Sequence, residues 1–121
     1  MRSHQVDLHI KRVYAPRSKD DGKRILVDRL WPRGMTKQRA DVDLWLKDIA
    51  PSTELRKWFG HDPGRWPEFR QKYIQELQTR SPELDALRDD ATRGAVTLLY
   101  GAKDEIHNEA AVLLELLQKD A

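Results

Sequence analysis

The chain of 121 residues contains no cysteine. That excludes a disulfide framework, thiolate zinc sites and every mechanism with a cysteine nucleophile, thiol phosphatase and sulfurtransferase chemistry included. It fits a reducing, cytoplasmic setting. No apolar stretch approaches the length of a membrane span, and no charged-then-apolar leader of the secretory kind opens the sequence. Also missing are a phosphate-binding loop, a Gly-x-Ser-x-Gly elbow and a Gly-x-Gly-x-x-Gly fingerprint. The four histidines, at 4, 9, 61 and 107, show no ligand spacing, so no metal and no cofactor is expected.

What is present is unevenly spread. Residues 1–40 carry 11 Lys/Arg against 4 Asp/Glu, a balance of +7, whereas residues 41–121 carry 11 against 16, a balance of −5. A basic front half attracts phosphates, nucleotides or a nucleic-acid backbone, although a solvated basic face looks the same in sequence.

Hydrophobic patterning predicts one α/β domain over residues 1–121, helix-rich, with a small and mostly parallel sheet covered by helices. Val6, Leu8 and Ile10 alternate with polar residues and predict a strand over about 6–14. Ile25-Leu26-Val27 is a continuous apolar run, the pattern of a strand buried on both faces, and Ala95–Tyr100 (AVTLLY) is a second candidate central strand. Residues 42–49 fit two periods: Val42, Leu44 and Leu46 suit a strand and Val42, Trp45, Leu46 and Ile49 a helix, with a short strand or irregular extended segment the preferred reading. Beyond Pro51, Ser52 caps a helix carrying Leu55, Trp58 and Phe59 on one face. Asp62-Pro63 opens the next, with Trp66, Phe69, Tyr73, Ile74 and Leu77 as its apolar stripe. Ser81-Pro82 repeats the cap-then-proline signal for a helix that Gly94 stops, and Ala110, Leu113, Leu114 and Leu117 mark the last helix.

The most informative segment is Asp28-Arg-Leu-Trp-Pro-Arg-Gly34, directly after the central apolar run. Open α/β sheets bind ligands beyond the carboxyl ends of their strands. If the strands near 6–14, 24–28 and 95–100 are parallel neighbours, three loops meet at one crevice: Tyr14 to Arg17, Asp28 to Gly34 and Tyr100 to Asn108. Arg29, Arg33 and Lys103 then hold an anion, two with planar forks and one with a point charge. Tyr14, Trp31 and Asn108 complete the binding set, and Asp28 and His107 are candidate base and acid. Each has a plainer reading. Asp28 can pair with Arg29, Arg29 can satisfy backbone carbonyls, Trp31 can be a pocket wall and His107 can be a helix cap. His61-Asp62 resembles half of a metal or acid–base pair.

These segments resemble the YeaO-like family, domain-of-unknown-function family 488, of small bacterial proteins. The matching stretches are Arg24–Gly34, Ala50-Pro-Ser52, Leu55–Phe59 with His61-Asp-Pro63, and Val96–Tyr100 through Ala102-Lys-Asp104 to His107-Asn108. The resemblance implies a compact, cytoplasmic α/β domain and no established reaction. More distant members carry a Cys-His-Arg run where this chain has Ile106-His107-Asn108, and an Asp-Val-Arg segment similar to Val27-Asp28-Arg29. By that likeness Asp28, Arg29 and His107 match a shared pattern, while the cysteine has no counterpart here.

Three functions fit the sequence. The first is a domain that binds a phosphorylated or otherwise anionic small molecule, a nucleotide among the choices, with acid–base chemistry of the hydrolase or transferase type. The second is nucleic-acid binding through residues 1–40, with Trp31 and Tyr14 as stacking surfaces. The third is a non-catalytic protein-interaction module that uses the aromatic residues from Trp58 to Trp66.

Overall fold

The computed structural model describes residues 6–119, leaving His4 and Arg2 outside the described residues. Four parallel strands make one sheet in the order β1-β4-β2-β3, with β1 Leu8–Arg12, β2 Lys23–Leu26, β3 Leu44–Trp45 and β4 Val96–Tyr100. The central pair, β4 and β2, hold the two apolar segments, with Thr97 inside β4 and Lys23-Arg24 opening β2. Their side chains alternate between the faces as the pleat requires. Val96, Leu98, Tyr100, Ile25 and Val27 enter the larger core, and Leu99 and Leu26 the smaller one.

Residues 42–49 resolve into the two-residue edge strand β3 and a 3-10 turn at Lys47–Ile49. The short helix α1, Lys37–Ala40, is capped by Thr36 and lies with Trp31, Met35, Val42 and Trp45 against the smaller face. The larger face is covered by α2 Thr53–Phe59, α3 Trp66–Leu77, α4 Ser81–Arg93 and α5 Glu109–Lys119. The result is an α/β domain with its small parallel sheet covered on both faces.

Two of the expected helix starts differ in detail. Asp62 caps a 3-10 turn at Pro63–Arg65, and α3 begins only at Trp66, because Pro67 then falls in the first turn where its missing N–H costs nothing. Ser81 caps nothing. The chain runs from α3 through a 3-10 turn at Gln78–Arg80 straight into α4, and Ser81 already has helical angles. Gly94 does end α4, at a φ of 176°, extended backbone open to any residue.

Arg24 is fully buried within β2. Its Nη1 donates to Asp21 Oδ2 at 2.6 Å, its Nε to the Asp41 carbonyl at 2.9 Å and its Nη2 to the Ala40 carbonyl at 2.7 Å. Lys11 Nζ reaches both Asp21 oxygens at 2.9 Å. A buried charge survives only when it is paired and hydrogen-bonded in this way.

Candidate functional site

A crevice of about 410 Å³ opens at the carboxyl ends of β1, β2 and β4. Tyr14, Asp28, Arg29, Trp31, Arg33, His107 and Asn108 all line it, so three loops distant in sequence do meet there. Lys103 is exposed and does not line it.

Asp28 follows β2 by two residues. Its carbonyl accepts the Trp45 indole N–H at 2.8 Å, and its Oδ2 accepts the Gly101 amide N–H at 2.8 Å. A Cβ at position 101 would stand 2.9 Å from that oxygen, so any side chain there would push the Asp28 carboxylate aside. On its other side Asp28 meets Glu109, the first residue of α5, which is 9 % exposed and lines the crevice. Burial, then a hydrogen bond to the Asp28 carboxyl and its like charge, push the Glu109 carboxyl well above the usual carboxylate range. The shift favours the protonated form of Glu109. Its Oε2 is buried with no protein donor in reach among the described residues.

Arg29 serves the fold. Its Nε and Nη2 donate to the carbonyls of Pro51 and Ala50 at 3.0 and 3.1 Å, the plainer of its two sequence readings. Tyr73 adds a 2.6 Å bond to the Ile49 carbonyl, and the Ser52 amide and hydroxyl both bind Glu76. Residues 49–52 are thereby pinned against the core. Ser52 accepts the Leu55 amide at 3.1 Å and caps α2, and that placement brings Arg56 to the crevice. Arg56 and Arg33 are exposed, and neither guanidinium has a protein partner among the described residues. The Arg33 turn is held by the Tyr14 hydroxyl, which donates to the Arg33 carbonyl at 2.9 Å, and by Gly34 at a φ of +77°.

Trp31 is a wall: its indole N–H donates to the Met35 carbonyl at 2.7 Å, and its ring meets Trp45 edge-on at 5.4 Å. Asn108, not His107, caps α5, with Oδ1 accepting the Ala111 amide at 2.9 Å and Nδ2 donating to the Asp104 carbonyl at 3.0 Å. His107 Nδ1 lies 2.8 Å from Asp104 Oδ2, and its ring stands edge-on to Trp66 at 5.3 Å. The His107 and Ile106 amides, together with the His107 ring, lower the Asp104 carboxyl to about 2. His61, at a φ of +58°, also lines the crevice. Asp62, its expected partner, instead accepts the Gly64 amide at 2.9 Å and faces Arg65.

Sequence reasoning missed Arg56 and Glu109. An arginine in the middle of an amphipathic helix reads as solvated surface, and a glutamate at a helix N-terminus is common for its favourable interaction with the dipole. Neither residue carries a local signal of its tertiary neighbour.

A parallel α/β domain with a charged crevice at its strand ends is the class of protein this structure defines. Within that class, the chain belongs to the family DUF488-N3i, described as the inactive DUF488-N3 subclade, which matches residues 7–121. It is 45 % identical over 113 residues to the uncharacterized protein YeaO of Escherichia coli (strain K12), covering 93 % of this chain and 98 % of that one. It is 43 % identical over 113 residues to the uncharacterized protein Rv3073c of Mycobacterium tuberculosis and to Mb3100c of Mycobacterium bovis, at 93 % and 95 % coverage. No solved structure matches the chain significantly. Among the described residues no helix is long and apolar enough to cross a membrane, and no group of three or more His, Asp or Glu is placed to hold a metal ion.

Proposed function

We propose that this protein binds a small anionic molecule, such as a phosphorylated metabolite or nucleotide, in the strand-end crevice without turning it over. The observation that carries the reading is the pair Arg33 and Arg56. Two exposed guanidiniums, from separate segments, line one crevice with no protein partner among the described residues. Arginine forks match phosphate and carboxylate geometry, and unpaired donors beside a cavity are free to meet a ligand. Binding without turnover is supported by the description of the family as an inactive subclade. It is also supported by the crevice lining, which contains no serine, threonine or cysteine, while its tyrosine hydroxyl is committed to the Arg33 carbonyl.

A polyanion is the weaker fit, because much of the basic front half is engaged internally. Lys11 and Arg24 bind Asp21, Arg17 binds Asp41 and Lys23 binds Asp90. Arg12 and Arg29 donate to backbone carbonyls.

Thermal-shift titration with sulfate, phosphate, a nucleotide panel and short single-stranded DNA and RNA tests the reading. A ligand at about a hundred times its Kd adds about 2.7 kcal/mol to the native state. Stabilisation by one class of small anion, lost in Arg33→Ala and in Arg56→Ala, is the expected result. Shifts with polynucleotides alone, or shifts that survive both substitutions, would overturn it.

A further inference from the structure

The Tyr14 ring stands between two cavities. It lines the crevice, and it also lines a neighbouring cavity together with Arg12, Lys11 and Glu105. Arg12 Cζ lies over the ring at 5.0 Å from its centroid, and Arg12 lines the neighbouring cavity but not the crevice. One ring face is therefore covered by a guanidinium, and the other turns towards the crevice. The ring is held as well as placed. Its hydroxyl donates to the Arg33 carbonyl at 2.9 Å, and Arg12 is fixed in turn by the 2.9 Å bond from its Nε to the Ala102 carbonyl. Tyr14 nonetheless stays 38 % exposed, and Leu30, on the same lining, 58 %. A ring already fixed in place loses little conformational entropy when a second ring stacks on it.

The polar groups nearby argue against a hydroxyl-rich ligand. The Trp31 indole N–H is committed to the Met35 carbonyl, the Asn108 side chain to the start of α5, and the Arg29 guanidinium to the carbonyls of Ala50 and Pro51. What remains accessible beside the Arg33 turn is largely ring and aliphatic surface, from Tyr14, Leu30 and Trp31.

We propose that the ligand is a nucleoside monophosphate, whose base stacks on the crevice face of Tyr14 while Arg33 and Arg56 receive its phosphate. The inference rests on the small-anion reading above and narrows it to phosphate esters that carry a planar aromatic ring. Because the Tyr14 hydroxyl bonds the backbone of Arg33, the stacking platform and the residue that supplies a guanidinium are fixed relative to each other by one contact. Tyr14 is then a specificity-determining residue.

Isothermal titration calorimetry of the full chain with inorganic phosphate, ribose 5-phosphate, AMP and UMP reads this directly. The two nucleotides add a base to what ribose 5-phosphate already carries. At least one of them is expected to bind about tenfold tighter than ribose 5-phosphate, within the usual worth of one base stacked on an aromatic side chain. Tyr14→Phe keeps the ring and loses only the hydroxyl, so the ratio persists. Tyr14→Leu removes the ring, and the ratio falls to near one. Any slackening of the Arg33 turn in either variant weakens both ligands through their phosphate and cancels in the ratio.

Equal affinities for AMP, UMP and ribose 5-phosphate in the wild type would overturn the proposal while leaving the anion site standing, and this comparison needs no variant to fold. A ratio that survives Tyr14→Leu, or one that is lost in Tyr14→Phe, would overturn it as well. Failure of every probe to bind would remove the small-anion reading, and the present inference with it.

Discussion

Substituting Asp21 by asparagine replaces one oxygen by an NH2 group and removes the charge that faces two cations. In the native fold Asp21 Oδ2 receives Arg24 Nη1 at 2.6 Å, both of its oxygens receive Lys11 Nζ at 2.9 Å, and the Ser18 amide donates to Oδ2 at 3.0 Å. Arg24 is 0 % exposed and cannot reach water. Breaking a buried ion pair from one side leaves an uncompensated charge and costs about 3–5 kcal/mol. A domain of this size has an unfolding entropy that converts 1 kcal/mol into a Tm change of about 3–6 °C, so the expected loss is about 10–30 °C.

Urea unfolding followed by circular dichroism at pH 7 measures it, and repetition at lower pH adds a second signature. Burial works to raise the Asp21 carboxyl, but the bonds from Lys11, the Ser18 amide and Arg24 outweigh it and hold it below its ordinary 3.8. A carboxyl lowered in the folded state stabilises fully above its unfolded value and loses that contribution as pH falls through the folded value. The gap between wild type and Asp21→Asn therefore closes only below about pH 4. A loss under about 1 kcal/mol at neutral pH, or a gap independent of pH down to acid unfolding, would refute the reasoning.

Three further outcomes follow from the crevice. Gly101→Ala forces the Asp28 carboxylate away from its amide, since the new Cβ would lie 2.9 Å from Oδ2. We expect a loss of about 1–3 kcal/mol for that charge-assisted bond, read by thermal unfolding, and an unchanged Tm would count against the assigned contact. Glu109, raised by burial, stabilises below its unfolded value near 4.5 and loses that contribution as pH rises towards its folded value. Glu109→Gln is thus expected to flatten the fall in stability above pH 4.5, and parallel profiles for the two proteins would argue against a buried protonated glutamate. Asp104, lowered to about 2 by the His107 and Ile106 amides and the His107 ring, stabilises above pH 4 and ceases to do so between about pH 4 and 2. The stability difference between wild type and Asp104→Asn should shrink over that window and be constant above it.

The fold was legible where burial leaves a one-dimensional trace. Ile25–Val27 is an apolar run, and Val96–Tyr100 is one broken only by Thr97, because the central strands of a parallel sheet are covered on both faces; buried Thr97 is accommodated by donating to the Asp21 carbonyl. Asp28–Gly34 was legible as a site for the same reason: the end of such a strand is where the apolar run stops and polar chemistry resumes. Ser81 misled, because a cap and a first helical residue share the same sequence and differ only in backbone angles.

The sequence by itself thus determined the strands, the helical faces and the position of a charged turn, since each depends on residues a few positions apart. Tertiary structure alone decided the strand order, the burial of Arg24 beside Asp21, and the meeting of Arg33, Arg56 and Glu109 at one crevice. It also left Lys103 outside that crevice, on a loop tied down by Asp104 and by the bond from Gly101 to Asp28. The reason is physical. Whether a charge is solvated, paired or held for a ligand depends on groups brought to within about 4 Å by packing, and hydrophobic periodicity records which face is buried, not which partner it meets.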